Sequence, residues 1–319
     1  MIKVKNPITA KFLFYYLNDE KKWLKSGTGQ PFISSSTVKN FKIPLPPLPI
    51  QQKIVSILDT IQSAIEVQEE IIEKTKELKK SMIADLFKYG APSFRKSLPA
   101  GRQGRKLKKT EIGEIPENWE VVRLGEVCEV VRGSSPRPKG DPKYFSKEAT
   151  SIHWITIADL TKYKQGMFIV NTDEFLTEEG KKKSRFLKKG SFVITNSGTV
   201  GIPAFLGIDG CIHDGYLALL NIDGKVNKVF LYYLIDYSRP RLQQIAPRGT
   251  QANLNTIIVS NFLVPLPPPP EQREIAEILQ TIDQKIEIEK KKKELYEELF
   301  KTMLNKIMNQ EINVEKIKI

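Results

Sequence analysis

The stretch that decides the fold is NFKIPLPPLPIQQKIVSIL at Asn40–Leu58, because the chain spells it again as NFLVPLPPPPEQREIAEIL at Asn261–Leu279. A shift of 221 residues overlays the two copies without gaps. The likeness extends backwards, where GTGQPFISSSTV lies over RGTQANLNTIIV. With a small gap, FLFYYL at Phe12–Leu17 also resembles VFLYYL at Val229–Leu234. Two copies at so long a spacing indicate the duplication of one large unit rather than a solenoid.

Each proline run is followed by apolar residues at heptad spacing. Steps of four and three residues are typical of the seam between two coiled helices. We therefore predict two long helices that pack as an antiparallel coiled coil. The predicted seam residues are Ile54, Leu58, Ile61, Ile65, Ile275, Leu279, Ile282 and Ile286. Glu289 and Lys293 interrupt the second seam. The alternative is a pair of ordinary amphipathic helices, but the length and the polar outer faces favour a coiled coil.

The proline runs have a mechanical interpretation. Successive prolines favour the stiff polyproline II conformation. The last proline of each run, Pro49 or Pro270, suits the first turn of a helix, where its missing N–H costs nothing. Each run is thus predicted to be a rigid arm between a globular module and a long helix. A ligand for a proline-binding domain is the weaker alternative, since the run recurs at the same junction.

The charge of the chain points to a polyanionic partner. The 319 residues carry a net charge of +13, and the pI is about 9.4. This excess favours nucleic acid or an anionic membrane as partner. From Lys88 to Lys109 there are eight Lys or Arg residues and no Asp or Glu. That segment is either a solvated linker or a segment that lies near phosphates.

The two cysteines, Cys128 and Cys211, make a disulfide framework unlikely and favour a reducing cytoplasm. The apolar patch Phe12–Leu17 is far shorter than a membrane span, and no cleavage site follows it. We therefore expect a cytoplasmic protein with no membrane partner.

Residues 117–266 form the only long globular stretch. Short strand-like runs alternate with turns, as in GSFVITNS, PAFLGI and GYLALLNI, and one helix is predicted at Lys228–Ile245. The predicted fold class is α/β, of the α+β kind. It comprises a mixed domain with a curved β-sheet plus the two long helices.

Three polar loops of this domain have the residue types that bind DNA. They are RGSSPRPKGDPKY at Arg132–Tyr144, TNSGTVG at Thr195–Gly201 and PRGTQANLN at Pro247–Asn255. Arg suits guanine edges, Asn and Gln suit adenine edges, and Ser or Thr reach phosphates. The candidate DNA-binding residues are Arg132, Ser134, Ser135, Arg137, Lys139, Asn196, Ser197, Thr199, Arg248, Thr250, Gln251 and Asn253.

Catalytic motifs are not found. EEGKKKS lacks the upstream glycine of a phosphate loop, and the carboxylates and lysines show no convincing nuclease spacing. No motif of the adenine methyltransferases is seen. Cys211 and His213 could share a metal, but two further ligands at the usual spacing are absent. Cys128 is most simply a buried strand residue. The sequence predicts no catalytic residue, metal or cofactor.

The residues together resemble a known family. TEIGEIPENWEVVRLGEVCEVVRGSSPRP at Thr110–Pro138 resembles the opening of a target recognition domain in the specificity subunits of type I restriction–modification systems. HWITIADL and LKKGSFVITNSGTVG resemble its middle, and RGTQANLNTIIVSNFLVPLPPPPEQREIAEIL its end and the following helix. The resemblance covers nearly the whole chain, except the basic linker.

The resemblance implies a sequence-specific DNA-binding subunit without catalysis of its own. Two recognition domains would each read half of a split double-stranded DNA site. The coiled coil would set the gap and dock methyltransferase subunits, through which restriction subunits join. The alternatives are a coiled-coil scaffold that has lost sequence-specific DNA binding, and a nuclease or methyltransferase in its own right.

The predicted domains are a C-terminal remnant of a first recognition domain (1–49), a first spacer helix (50–89), a basic linker (90–116), a complete second recognition domain (117–267) and a second spacer helix (268–312). The first domain is expected to be truncated at its N-terminal side. Either the chain is a product of a degenerate locus, or it self-associates so that two complete domains read a symmetric site.

Overall fold

The computed structural model describes residues 8–18, 33–97, 103–148, 152–247 and 253–316. It consists of two units. The first unit comprises Met1–Lys76 and Lys285–Ile319, and the second unit comprises Glu77–Gln284. In the described ranges, no helix combines the length and the apolarity that a membrane span requires.

The described residues form three long helices, several shorter ones and many short strands. The helices are α1 (Ala10–Leu17), α2 (Ser35–Lys39), α3 (Leu48–Tyr89), α4 (Leu124–Val127), α5 (Ile157–Lys162), α6 (Glu178–Lys182), α7 (Lys228–Ile245), α8 (Thr256–Ser260) and α9 (Pro269–Met308). The strands are β1 (Lys96–Ser97), β2 (Gln103–Gly104), β3 (Leu107–Thr110), β4 (Gly113–Pro116), β5 (Glu120–Arg123), β6 (Glu129–Arg132), β7 (Phe145–Ser146), β8 (His153–Ile155), β9 (Lys164–Gln165), β10 (Phe168–Ile169), β11 (Glu174–Leu176), β12 (Arg185–Leu187), β13 (Phe192–Thr195), β14 (Pro203–Leu206), β15 (Gly210–Ile212), β16 (Tyr216–Leu220) and β17 (Leu263–Leu266).

The second unit is built on two mixed sheets. Six strands lie in the order β6-β16-β13-β14-β10-β9, and five in the order β12-β15-β8-β11-β7. Most neighbours are antiparallel, but β10 runs parallel to β14 and β15 runs parallel to β8. The α+β class is thereby confirmed, and the strands of the predicted mixed domain divide between two main sheets. Strand patterns alone do not say which strands share a sheet.

The central strand β13 explains the layering, because all four of its residues are buried. Alternate side chains of a strand point to opposite faces. Val193 packs in the cluster that contains Ile155 and Ile212 of the five-stranded sheet, so this face lies against the second sheet. Phe192 and Ile194 belong to the cluster of α7 and form the opposite face. The predicted helix Lys228–Ile245 is confirmed as α7.

The long helices pack antiparallel within each unit. In the first unit, Ile54 and Leu58 of α3 share a cluster with Ile307 near the end of α9. In the second unit, Leu86 near the end of α3 shares a cluster with Ile275 near the start of α9. Of the predicted seam residues, Ile61 and Ile282 are half-buried and the rest are buried, namely Ile54, Leu58, Ile65, Ile275, Leu279 and Ile286.

One polar layer interrupts the apolar seam of the first unit. Gln68 and Glu289 are both buried, and Gln68 Nε2 donates to Glu289 Oε2 at 2.6 Å. Lys285 and Lys292 also pair with this carboxylate. These contacts, led by the Lys285 ammonium, lower the pKa of Glu289 to about 2.

The duplication is visible as repeated hydrogen bonds. Gln51 and Gln272, which the sequence overlays, are both fully buried near the start of a long helix. Gln51 Nε2 donates to Pro46 O at 2.9 Å, and Gln272 Nε2 donates to Pro267 O at 2.8 Å. Each glutamine therefore fastens its own proline arm to the helix that follows.

The helices before each arm repeat the same caps. Ser34 caps α2 by accepting from Thr37 N, and Asn255 caps α8 by accepting from Ile258 N. Gln51 Oε1 accepts from the N-cap residue of α1, Thr9, and Gln272 Oε1 accepts from the N-cap residue of α7, Asn227.

These caps correct one part of the sequence overlay. The N-cap residues Thr9 and Asn227 correspond, so Phe12 corresponds to Phe230 and Tyr15 to Tyr233. The overlay of Phe12–Leu17 on Val229–Leu234 is therefore shifted by one residue. Both tyrosines are buried and donate to an aspartate of a long helix. The overlay matched the letters FYYL and LYYL, whereas burial follows the helix face that packs on the core.

Candidate nucleic-acid interface

Two of the three predicted DNA loops of the second unit meet at the turn between β15 and β16, and the described part of the third lies beside the second. The backbone carbonyl of Asp214 in this turn accepts from Arg132 Nε at 3.0 Å and from Asn196 Nδ2 at 2.9 Å. The Asp214 carboxylate accepts from Ser135 Oγ. One residue thus joins the first loop (Arg132–Tyr144) to the second loop (Thr195–Gly201).

The second and third loops are joined through their backbones. Leu254 N donates to Asn196 O at 2.8 Å, and Ser197 and Asn253 form an isolated antiparallel bridge. Thr195 shapes the second loop, because its hydroxyl donates to Thr199 O and accepts from Ile202 N. The described part of the third loop (Pro247–Asn255) therefore lies directly beside the second.

A glycine permits the close approach of the first loop. Gly133 N donates to Tyr216 O at 2.9 Å, and Ser134 N donates to Ile212 O at 3.2 Å. A Cβ added at Gly133 would lie 2.1 Å from the backbone oxygen of His213, which is a severe steric clash. The loop is thus fixed against the turn that contains Asp214.

The charges at this turn are arranged around Asp214. Its carboxylate lies 4.0 Å from Arg132 Nη2 and 3.9 Å from Arg137 Nη2. Burial favours the neutral acid, but the hydrogen bond from Ser135 and the nearby His213, Arg132 and Arg137 outweigh it, so the pKa of Asp214 lies below its usual value. Asp214 is therefore ionised at neutral pH and holds both arginines at the surface.

His213 is neutral in this arrangement. Its Nδ1 accepts from Gly215 N at 2.8 Å, so the ring proton lies on Nε2, which is 3.0 Å from Asp214 Oδ1. Desolvation by burial lowers the pKa of His213, although Asp214 opposes that shift. His213 thus lies beside the Asp214 carboxylate and adds no positive charge at neutral pH.

The candidate DNA-binding residues differ in accessibility. Those with exposed side chains are Arg132, Ser134, Arg137, Lys139, Thr199 and Asn253. Ser135 and Ser197 are half-buried, whereas Asn196 is fully buried and its amide is used to hold the Asp214 turn. Arg248, Thr250 and Gln251 lie outside the described residues.

A second basic segment, KKKSR at Lys181–Arg185, lies against the first loop. Arg185 Nε donates to Arg132 O at 2.7 Å, and Ser184 Oγ donates to Ser134 O at 2.6 Å. Ser134 Oγ in turn donates to Lys183 O at 3.0 Å. The exposed cations Arg132, Arg137, Lys139, Lys183 and Arg185 are called the basic face from here on.

Sequence reasoning missed Lys183, Arg185 and Asp214. The charge run KKKSR is the sequence signal that could have found Lys183 and Arg185. Nothing in the sequence of the turn between β15 and β16 marks Asp214 as the residue that joins two loops from distant parts of the chain. Within the described ranges, no group of three or more His, Cys, Asp or Glu residues could hold a metal ion.

Comparison with known proteins identifies relatives along most of the chain. The family model of the type I restriction modification DNA specificity domain matches residues 1–77 and 116–298. The MjaVIII specificity subunit of a type I restriction enzyme from Methanocaldococcus jannaschii is 31% identical over 96% of this chain and 71% of the relative. The putative MjaX specificity subunit of the same organism is 28% identical over 98% of this chain and 70% of the relative.

Solved structures share the fold. The HsdS subunit from Thermoanaerobacter tengcongensis superposes with a TM-score of 0.54 at 22% identity, covering 95% of this chain and 70% of that one. A chain from a study of complex assembly and conformational transition of the type I R-M system superposes with a TM-score of 0.61 at 21% identity, covering 93% of this chain and 70% of that one.

Proposed function

This chain belongs to the family of type I restriction modification DNA specificity proteins, and we propose its function on that basis. As a specificity subunit, it gives a restriction–modification complex its DNA sequence preference. We assign the reading of double-stranded DNA to the three loops of the second unit, and we propose that the chain itself performs no catalysis.

The observation that carries this assignment is that Asp214 joins the first loop to the second beside the basic face, while the described part of the third loop is bonded to the second. Loop residues from Arg132 to Asn253 are brought to one surface by backbone and side-chain hydrogen bonds. Phosphate contacts from Arg and Lys position a protein on the duplex, and polar side chains at base edges specify the sequence. The basic face supplies the phosphate contacts, and the exposed Thr199 and Asn253 supply contacts to base edges.

The long helices of the first unit offer surfaces for protein partners. Val67 and Ile288, which the duplication overlays, are 56% and 51% exposed, and both lie off the buried seam. Ile71 on α3 and Leu295 and Leu299 on α9 extend the two stripes. Exposed apolar stripes of this kind mark interaction sites. We propose that each stripe docks one methyltransferase subunit, through which restriction subunits join.

The docking proposal is tested by co-purification with the methyltransferase subunit of the same restriction–modification system. Val67→Lys together with Ile288→Lys is expected to abolish co-purification. Glu66→Lys places a new lysine next to the first stripe and serves as the control, which is expected to keep the partner. Retention of the partner by the double variant would exclude these stripes as the docking surface.

The DNA-reading proposal is tested by selecting binding sites from a random duplex library with the purified full chain. Enrichment of a defined short sequence is expected, without cleavage or methylation by the chain alone. A library that shows no enriched sequence would contradict the proposal and favour a scaffold role. Modification of DNA by the purified chain would contradict its assignment as non-catalytic.

A further inference from the structure

A cavity of about 290 Å³ lies beside the basic face, on the outer side of the five-stranded sheet. Ile155 and Ile212 point from this sheet into the core between the two sheets. Trp154, which neighbours Ile155 on β8, therefore points to the opposite side, where it packs in a separate small cluster with Leu176 and Cys211. The cavity is lined on this side by Trp154 and is bordered by the first loop through Arg137 and Lys139.

Three of the side chains that line the cavity are aromatic. The Trp154 ring centroid lies 6.1 Å from that of Phe145 and 5.7 Å from that of His213, both in edge-to-face geometry. All three rings line the cavity. The volume is close to the lower end of small-molecule sites, which begin at about 300 Å³. The space therefore suits a single planar ring system rather than a larger ligand.

The charges of the cavity are divided between its lining and its mouth. Glu174 lines the cavity and is half-buried, and among the described residues its carboxylate has no hydrogen-bond or ion-pair partner. Arg137 and Lys139 also line it but are exposed, the Arg137 side chain by 70%. The Glu174 carboxylate disfavours a ligand that is only an anion, and Arg137 and Lys139 at the mouth disfavour a ligand that is only a cation. They match a ligand with N–H donors at one end and a phosphate at the other.

We propose that this cavity takes one unstacked nucleotide of the bound DNA, with its base inside and its phosphate at Arg137 and Lys139. The inference rests on the proposed DNA-reading function and extends it. Enzymes that extrude a base hold it between aromatic side chains and read its Watson–Crick edge by hydrogen bonds. Glu174 accepts from an exocyclic amine, as acidic residues do with cytosine N4. The site thus favours cytosine, adenine or guanine over thymine, which has no exocyclic amine.

The DNA experiment uses the full chain and the duplex obtained by binding-site selection, with 2-aminopurine placed at each position in turn. Its fluorescence depends on stacking, so a position that leaves the duplex for the cavity is expected to change in intensity and emission wavelength on binding while its neighbours stay unchanged. Glu174→Gln is expected to weaken binding of the selected duplex about tenfold by removing a charge-assisted acceptor. The matched control Glu178→Gln, outside the cavity, is expected to leave binding unchanged.

A second arm needs no target sequence. Tryptophan fluorescence of the full chain is titrated with dCMP, dAMP, dGMP and dTMP. Quenching by the three amine-bearing nucleotides, lost in Glu174→Gln and in Trp154→Phe, is expected. If a sequence is selected but no position changes its fluorescence, the cavity proposal fails while the DNA-reading function stands. If no sequence is selected, the DNA-reading function fails. The cavity proposal then depends on the titration alone, and the absence of quenching overturns it.

Discussion

At the scale of single residues, Asp214 decides how the loops are presented. It is an acidic residue inside a surface that we assign to DNA, which is unfavourable for phosphates but useful for placing arginines. Its carbonyl and carboxylate together contact residues of the first and second loops. A carboxylate held between cations keeps their guanidinium groups in defined positions. We therefore regard Asp214 as a positioning residue for the basic face.

The substitution Asp214→Asn distinguishes the role of Asp214 in positioning the loops from the effect of its charge on DNA affinity. The variant removes one negative charge, so its affinity for a random duplex should rise and its salt dependence should steepen. Its preference for the selected sequence should fall about tenfold, because the loops lose a charge-assisted contact. Filter binding to both duplexes over a range of salt measures both effects.

Asp209→Asn makes the same change at the other end of β15, where Asp209 pairs with Lys188, and is the control for Asp214→Asn. It should leave the preference intact. An equal loss of preference in both variants would show that Asp214 has no special positioning role.

Gly133 permits a second test at the residue scale. In Gly133→Ala the new Cβ meets the backbone oxygen of His213, so the first loop must move. We expect binding of the selected duplex to fall by about tenfold or more, since a displaced loop leaves base contacts unmade. Gly224→Ala is the matched control, because a Cβ there meets nothing within 4 Å. Unchanged binding by Gly133→Ala would contradict the assignment of this loop to DNA.

At the scale of elements, the repeated glutamines fasten the proline arms. Gln272 is fully buried, donates to Pro267 O and Lys225 O, and accepts from Asn227 N. Its replacement leaves these three backbone groups unpaired. Gln51 makes the corresponding bonds to Pro46 O and from Thr9 N in the first unit. The arms are thus held by side-chain contacts as well as by the stiffness of proline.

Gln272→Met should lower the free energy of unfolding by about 2–4 kcal/mol, because buried polar groups without partners cost about 1–3 kcal/mol each. Urea unfolding followed by circular dichroism measures this change. The exposed Gln284→Met is the control and should stay within about 0.5 kcal/mol of the parent. A Gln272 variant as stable as the control would show that the proline arm is held by other contacts.

The buried pair Gln68–Glu289 gives the helix pair of the first unit a pH dependence. Contacts led by Lys285 hold the pKa of Glu289 at about 2 in the folded chain, against an ordinary value of 4.5. A lowered folded-state pKa contributes stability above the ordinary value, and this contribution is lost as the pH falls toward 2.

The thermal midpoint should therefore drop between about pH 4.5 and pH 2, and this drop should be smaller in Glu289→Gln. Glu287→Gln, which removes an exposed carboxylate of the same helix, should retain the full drop. Thermal unfolding by circular dichroism across this pH range measures the three proteins. Identical profiles for Glu289→Gln and the parent would contradict a role for Glu289.

At the scale of the whole molecule, the repeat determined most of what could be predicted. The heptads and the helix α7 follow from local periodicity, so the sequence predicted them well, whereas Pro265 of the second proline run lies in strand β17. The sheet order did not follow, because β8 pairs with β15 and β11 through contacts that strand patterns do not encode. The loops were predicted as separate candidates. The contacts that join the first two loops at Asp214 and the last two at Ser197–Asn253 depend on strand pairing over the whole second unit, which the sequence pattern does not reveal.

The buried state of Asn196 shows the same limit at the site. Its residue type suits an adenine edge, yet the fold uses it to hold the Asp214 turn. Lys183 and Arg185 show the converse, because a plain charge run becomes part of the basic face through hydrogen bonds to the first loop. Residue type predicts what a side chain can bind, and only the fold determines which side chains are presented together.

Hydrogen exchange of the full chain, with and without the selected duplex, tests the central claim most directly. Amides in 132–139, 183–185, 197–199 and around Asn253 are expected to gain protection together, and a random duplex of equal length should protect them less. The elements α1 and α2 of the first unit serve as an internal reference. Protection that spares these three loops, or that is equal for both duplexes, would contradict the account.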